Sequence, residues 1–121
     1  MSVTLGLFRN SPDTTEYAQS ATIFRKGDAA DAMFVVVEGE VEIRIGDEVI
    51  DVIEPGGLFG ELALIDHSPR SATAVARTYV KVVPVRERRF TFLIQQTPHF
   101  AIQVMQVMAE RLKRHDPKGG A

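Results

Sequence analysis

The sequence predicts one mainly β domain, an antiparallel sandwich or roll closed by helices at its C-terminal end. Three observations carry this reading. Turn residues recur at short intervals from Thr22 onward, residues 40–45 alternate between charged and apolar, and beyond residue 86 the apolar spacing changes to that of a helix. With 121 residues the chain is long enough for one core and too short for two ordinary domains.

Residues 1–20 carry a short apolar patch at Leu5, Leu7 and Phe8, then the polar, turn-rich SPDTTEYAQS, and read as an irregular N-terminal segment. The roll is expected over 21–85. Its strands are TIF, AMFVVV, EVEIRI and EVIDVI, then 73–76 and 80–85, punctuated by KGDAAD, Glu38-Gly39, Gly46-Asp47 and EPGG. In EVEIRI, Val41, Ile43 and Ile45 share one face and Glu42 and Arg44 the other, as where one side packs and the other is wet.

Two helices are expected over 86–116. Phe90, Leu93 and Ile94 mark the first, and Ala101, Val104, Met105, Met108 and Leu112 mark the core face of the second, both methionines serving as core packing. Thr97-Pro98 separates them as an N-cap followed by proline at a first helical position. The second helix stops before Pro117, with Lys and Arg near its end favoured by the dipole, and 117–121 is a flexible tail. Phe100, Ile102 and Val107 lie off its main stripe, so the helix is apolar over more than one contact face needs. That breadth suits a homodimer or a protein partner.

Fourteen Lys and Arg against 16 Asp and Glu give no broad attraction to nucleic acid or acidic membrane surfaces. The absence of cysteine excludes disulfides, thiolate metal sites and cysteine nucleophiles, and fits a reducing compartment. Neither a signal peptide nor a membrane-length apolar run is present, so a cytoplasmic domain is expected. The three histidines fall outside the predicted strands, where a metal-dependent enzyme built on a roll would need clustered ligands. No metal site, no catalytic residue and no cofactor are therefore expected.

The chemistry concentrates in FGELALIDHSPRSATAVA, residues 59–76. Gly60 permits a close backbone approach, and Glu61-Leu62-Ala63-Leu64 has the propensity for one helical turn whose free amides suit a phosphate oxygen. Arg70, held by Pro69, is placed to clamp the same phosphate through two parallel hydrogen bonds. Ser71 adds a hydroxyl, while Ala72, Thr73 and Ala74 keep the floor narrow. Glu61 is a pure acceptor that an anion would repel, so it suits sugar hydroxyls. A phosphate clamp beside a ribose acceptor describes a nucleotide site. The competing reading of the same residues is a plain Glu61–Arg70 ion pair in an empty roll.

This stretch resembles the phosphate-binding cassette of the cyclic-nucleotide-binding domain family, and IFRKGDAADAMFVVVEGEVEIR and EPGGLFGE are similar to the strands leading to it. The resemblance covers about residues 21–115. It implies an antiparallel double-stranded β-roll, jelly-roll-like, with helices packed across it and the last helix covering the base. It also implies roles: Arg70 pairs with the cyclic phosphate, Glu61 accepts from the ribose 2′-hydroxyl, and Gly60, the amides of Leu62 and Ala63, and the Ser71 hydroxyl complete the cradle. Leu58, Arg111 and His115 are the candidate contacts for the base.

Cyclic-GMP-preferring members of the family often carry Thr directly after the cassette arginine, and Ser71 there leans towards cyclic AMP. The family's helical lead-in is reduced or absent, and no room remains for a DNA-binding domain of the catabolite-activator type. The expectation is thus a regulatory sensor module without enzymatic activity, signalling through its terminal helices. A degenerate roll that no longer binds nucleotide and acts as an interaction module is the alternative.

Overall fold

A computed structural model describes residues 3–114. The elements run α1 (Val3–Phe8), β1 (Thr15–Tyr17), β2 (Thr22–Phe24), β3 (Ala32–Glu38), β4 (Val41–Ile45), β5 (Glu48–Ile53), β6 (Leu58–Phe59), α2 (Leu62–Ile65), β7 (Thr73–Ala76), β8 (Val80–Arg86), α3 (Glu87–Gln96) and α4 (Pro98–Arg114). The strands form two four-stranded sheets, ordered β1-β8-β3-β6 and β2-β7-β4-β5, with antiparallel pairing throughout. The predicted mainly β architecture with C-terminal helices is the one observed.

The first sheet is covered on both faces, which explains why β3 and β8 read as nearly continuous apolar runs. Met33, Val35, Val83 and Val85 pack towards the helices, against Phe8, Phe90, Phe100 and Val104. Val36, Val80 and Val82 point the other way and meet Val41, Ile53, Ala74 and Ala76 of the second sheet. The alanines of β7 let the sheets approach where larger residues would hold them apart. Pro84 sits within β8 beyond the reach of β1, opposite Phe34 only, so its missing N–H interrupts no second ladder. At the turn after β3, Gly39 adopts φ +82°, and a Cβ there would lie 2.1 Å from the Tyr79 carbonyl.

Two expectations are corrected. Within residues 1–20, Val3–Phe8 is helical and Thr15–Tyr17 is a strand, in place of a wholly irregular segment. Phe8, fully buried against Phe100 at 6.0 Å between centroids, anchors the helix, and β1 adds to the edge of β8. Both elements depend on partners far along the chain, and TEY has no alternation to announce it.

The second correction concerns the rotation of α4. Its packed side runs through Phe100 and Val104, with Val107 and Met108 beside them, whereas Met105 and Leu112 are exposed by 58% and 74%. At about 100° per residue, this face is turned by roughly 80° from the predicted one. The ring cluster of Phe8, Phe90 and Phe100 selects it. Met108 does pack on the core, and Met105 does not.

Candidate functional site

A cavity of about 540 Å³ opens between the second sheet, the α2 turn and α4. Its walls include Gly60, Glu61, Leu62, Ala63, Arg70 and Ser71, so the fold gathers all six cassette residues singled out from the sequence. The apolar face of β4 contributes Ile43 and Ile45 to the same wall. That explains why Ile45 stays exposed by 46% although its strand alternates as a packed one does.

Arg70 is 8% exposed. It ends the loop after α2, where its N–H donates to the Asp28 carbonyl and its carbonyl accepts from the Gly27 N–H, fixing it to the turn after β2. Nη2 donates to the Ala32 carbonyl at 2.7 Å and Nη1 to the Gly60 carbonyl at 3.2 Å. The guanidinium lies over the Phe24 ring, 4.1 Å from its centroid, with Phe34 at 5.6 Å. Among the described residues Arg70 forms no ion pair with a carboxylate, and its buried Nε has no hydrogen-bond partner. Burial pulls its pKa below the ordinary arginine value, opposed by the more distant carboxylates of Asp31, Asp28 and Glu61. The group stays a cation, held by carbonyls and rings, with capacity left for an anion.

Gly60 adopts φ +76°, and a Cβ there would stand 2.6 Å from Arg70 Nη1, so the close approach read from the sequence has a specific object. In the turn that follows, the Ala63 N–H donates to the Gly60 carbonyl at 3.3 Å and the Leu64 N–H to the Glu61 carbonyl at 3.0 Å. The Ala63 amide, expected free, is therefore engaged in a long bond, whereas the Leu62 amide at the first helical position has no carbonyl four residues back within the turn.

Glu61 is 7% exposed and does not pair with Arg70. Its Oε1 accepts from Arg111 Nη1 at 2.5 Å. Arg111 also donates through Nη2 to the Leu58 carbonyl and stands 3.5 Å from Asp51, whose other oxygen accepts from Arg114 Nη1 at 2.8 Å. The two arginines are one turn apart on α4, so this network ties the helix to β5, β6 and the α2 turn. Arg111, a candidate base contact in the sequence, is thus committed to carboxylates. Leu58, a second candidate, keeps its side chain in the helix-side core and reaches the network through its carbonyl. His115 lies outside the described residues.

Sequence reasoning missed Phe24, Phe34 and Asp51. Each lies in a segment read only as a strand between turns, and each acquires its role from a residue tens of positions away. Among the described residues no cluster of His, Cys, Asp and Glu is arranged to hold a metal ion, and no helix is long and apolar enough to cross a membrane.

A β-roll with a buried cation and a buried carboxylate on the wall of one cavity has the architecture of a small-molecule binding domain. The sequence profile described as the cyclic nucleotide-binding domain matches residues 14–97, and the chain belongs to that family. It is similar to a cyclic nucleotide-gated potassium channel of Rhizobium etli, 37% identical over 91 residues, covering 75% of this chain and 25% of the channel. It is also similar to the cyclic AMP receptor protein of Thermus thermophilus, 31% identical over 105 residues, covering 83% of this chain and 49% of that protein. Among solved structures, the Thermus thermophilus catabolite activator protein superposes with a TM-score of 0.76 at 30% identity, covering 87% of this chain and 52% of that one. The chain spans less than half the length of these two curated relatives.

Proposed function

We propose that this chain is a non-enzymatic binding domain for a cyclic nucleotide, cyclic AMP in preference to cyclic GMP, and that α4 passes occupancy to a partner. The observation that carries the reading is Arg70, a buried guanidinium without a carboxylate partner among the described residues, sharing one cavity with the buried Glu61. In this reading Arg70 takes the cyclic phosphate, with the Leu62 amide, the Ser71 hydroxyl and the backbone of Gly60 and Ala63 around it. Glu61 accepts from the ribose 2′-hydroxyl, the one sugar hydroxyl that the cyclic diester leaves free.

The preference for cyclic AMP is supported by the rest of the wall, where Ile43, Ile45, Ile50, Met108 and Leu112 surround the space available to a base. Guanine carries more polar groups on its edge than adenine, and an apolar wall would leave them unpaired. A ligand of about 22 heavy atoms at about 0.3 kcal/mol each would gain roughly 7 kcal/mol, a micromolar-range affinity.

Thermal unfolding with cyclic AMP, cyclic GMP and AMP tests the proposal. Ligand at 100 times its Kd stabilises by about 2.7 kcal/mol and raises the Tm by several degrees. The expected result is a shift ordered cyclic AMP, cyclic GMP, AMP that Arg70→Ala abolishes. No shift with any of the three overturns it.

A second reading, an interaction module acting through its helical face, is favoured by one observation. Ile102 and Met105 are exposed on α4 and line no part of the cavity, an apolar pair about one turn apart that suits contact with a second copy of the chain. Sedimentation velocity checks it: Met105→Glu, at an exposed site, should leave the fold intact and convert a dimer to a monomer. A wild type that remains monomeric at high concentration removes this contact.

A further inference from the structure

Among the described residues the ionisable side chains on the cavity wall are Asp51, Glu61, Arg70 and Arg111. Arg111 meets Glu61 at 2.5 Å and Asp51 at 3.5 Å, and Arg114, outside the lining, adds a second cation to Asp51 at 2.8 Å. Two acids are thereby balanced by two arginines. Arg70 is left over, so the cavity lacks one negative charge. We propose that the site selects its ligand by charge: it takes nucleotide phosphates that carry a single negative charge, diesters as a class, and rejects dianionic phosphomonoesters because it holds no second uncompensated cation. The proposal deepens the cyclic-nucleotide reading and rests on it.

The rest of the wall offers a second charge nothing. The Ser68 and Ser71 hydroxyls and the Leu62 amide can donate to an anion but cannot cancel its charge, and no lysine or histidine lines the cavity among the described residues. Much of the remainder is apolar, with Ile43 and Ile45 from β4 and Met108 and Leu112 from α4. A dianion would thus place its extra charge in a partly desolvated space that it shares with Glu61, itself 7% exposed, and like charges there repel strongly.

Arg70 itself has limited capacity. Burial lowers its pKa, and Asp31, Asp28 and Glu61 oppose that effect, so negative potential from three carboxylates already reaches the guanidinium. One further negative charge compensates it; two overshoot. AMP and cyclic AMP share base and ribose, so an apolar wall has no means to tell them apart. Their phosphates differ, because a monoester loses its second proton near about pH 6 and is mostly dianionic at neutral pH, whereas a diester has no second proton to lose.

The test is competition titration of the chain with cyclic AMP, AMP, the 5′-methyl ester of AMP and adenosine, at about pH 7.5 and about pH 5.5, either side of the monoester titration. The methyl ester keeps the open form and free 3′-hydroxyl of AMP but carries one charge, so it separates charge from ring closure. At the higher pH it should bind at least about tenfold more tightly than AMP, and adenosine should bind more weakly than the methyl ester. On moving to the lower pH, AMP should gain about tenfold or more relative to cyclic AMP, as its monoanion comes to dominate.

A methyl ester that binds no better than AMP overturns charge selection, because ring closure would then be what the site reads. A ratio of AMP to cyclic AMP affinity that does not change with pH overturns it too. So does adenosine binding as tightly as the methyl ester, since the phosphate would then contribute nothing. Failure of cyclic AMP itself to bind is a separate result: it overturns the cyclic-nucleotide reading and takes this inference with it.

Discussion

Arg70 lies over the ring of Phe24, Cζ 4.1 Å from the ring centroid, so a strand near the start of the roll and the loop after α2 jointly hold one buried charge. The side chain that makes the cavity attractive to an anion is positioned by an aromatic face and two carbonyl oxygens, none of which compensates its full charge. Each carbonyl and ring supplies partial negative potential only, and the cation keeps a strong preference for an anionic partner.

Phe24→Leu removes that face while keeping an apolar side chain. The expected cost is about 1–2 kcal/mol in denaturant unfolding, from lost packing and the cation–π contact. Cyclic nucleotide affinity should fall as well, because the guanidinium loses its orientation. Equal affinity in the variant would separate the ring from the site.

Gly60→Ala attacks the same arginine from the other side. The new methyl group would meet Nη1 at 2.6 Å while forcing a non-glycine residue to φ +76°. A loss of about 1–2 kcal/mol in stability is expected from the backbone alone, together with a displaced guanidinium and weakened ligand binding. Thermal melts with and without cyclic AMP separate the two effects.

Arg70→Met should divide stability from function. Replacing a buried cation that lacks a carboxylate by an apolar side chain of similar length lifts its desolvation cost, and this offsets the loss of two hydrogen bonds to carbonyls. The unfolding free energy should stay within about 1 kcal/mol of wild type, whereas the ligand-induced shift in Tm should vanish. A variant that fails to fold would assign Arg70 to the architecture.

Tyr79 provides a pH signature remote from the cavity. Its hydroxyl donates to Glu16 across the β1–β8 edge, and this bond to a carboxylate, before any other cause, pushes its pKa up to about 12 from an ordinary 10. Folding thus favours the protonated phenol. The associated stability is fully present below pH 10 and lost as pH rises through about 12. An alkaline absorbance titration should show a phenolate step near pH 12 that Tyr79→Phe removes; the absence of that step from the wild type would contradict the contact.

The roll was legible in the sequence because each of its signals is local. Turn glycines, alternation along EVEIRI and the change of period after residue 86 depend on neighbours within a few positions. The cassette was legible for a related reason: Gly60, Glu61, Arg70 and Ser71 fall within twelve consecutive residues, dense enough to define a chemical pattern before folding. The rotation of α4 was not, because a helix with apolar residues around most of its circumference has no single face for periodicity to select. Phe8 and Phe90 select it, by packing around Phe100 from both sides.

Sequence alone thus determined the fold class and the short stretch in which a glycine, a carboxylate and an arginine fall together, and left open whether the two charges pair. Tertiary structure decided how these charges are partnered. Arg70 receives rings and carbonyls from β2, β3 and the Gly60 turn, and Glu61 receives Arg111, fifty positions away on the last helix. The reason is physical: a charge interacts with whatever the fold brings within a few ångströms, and no local pattern records which distant residue that will be.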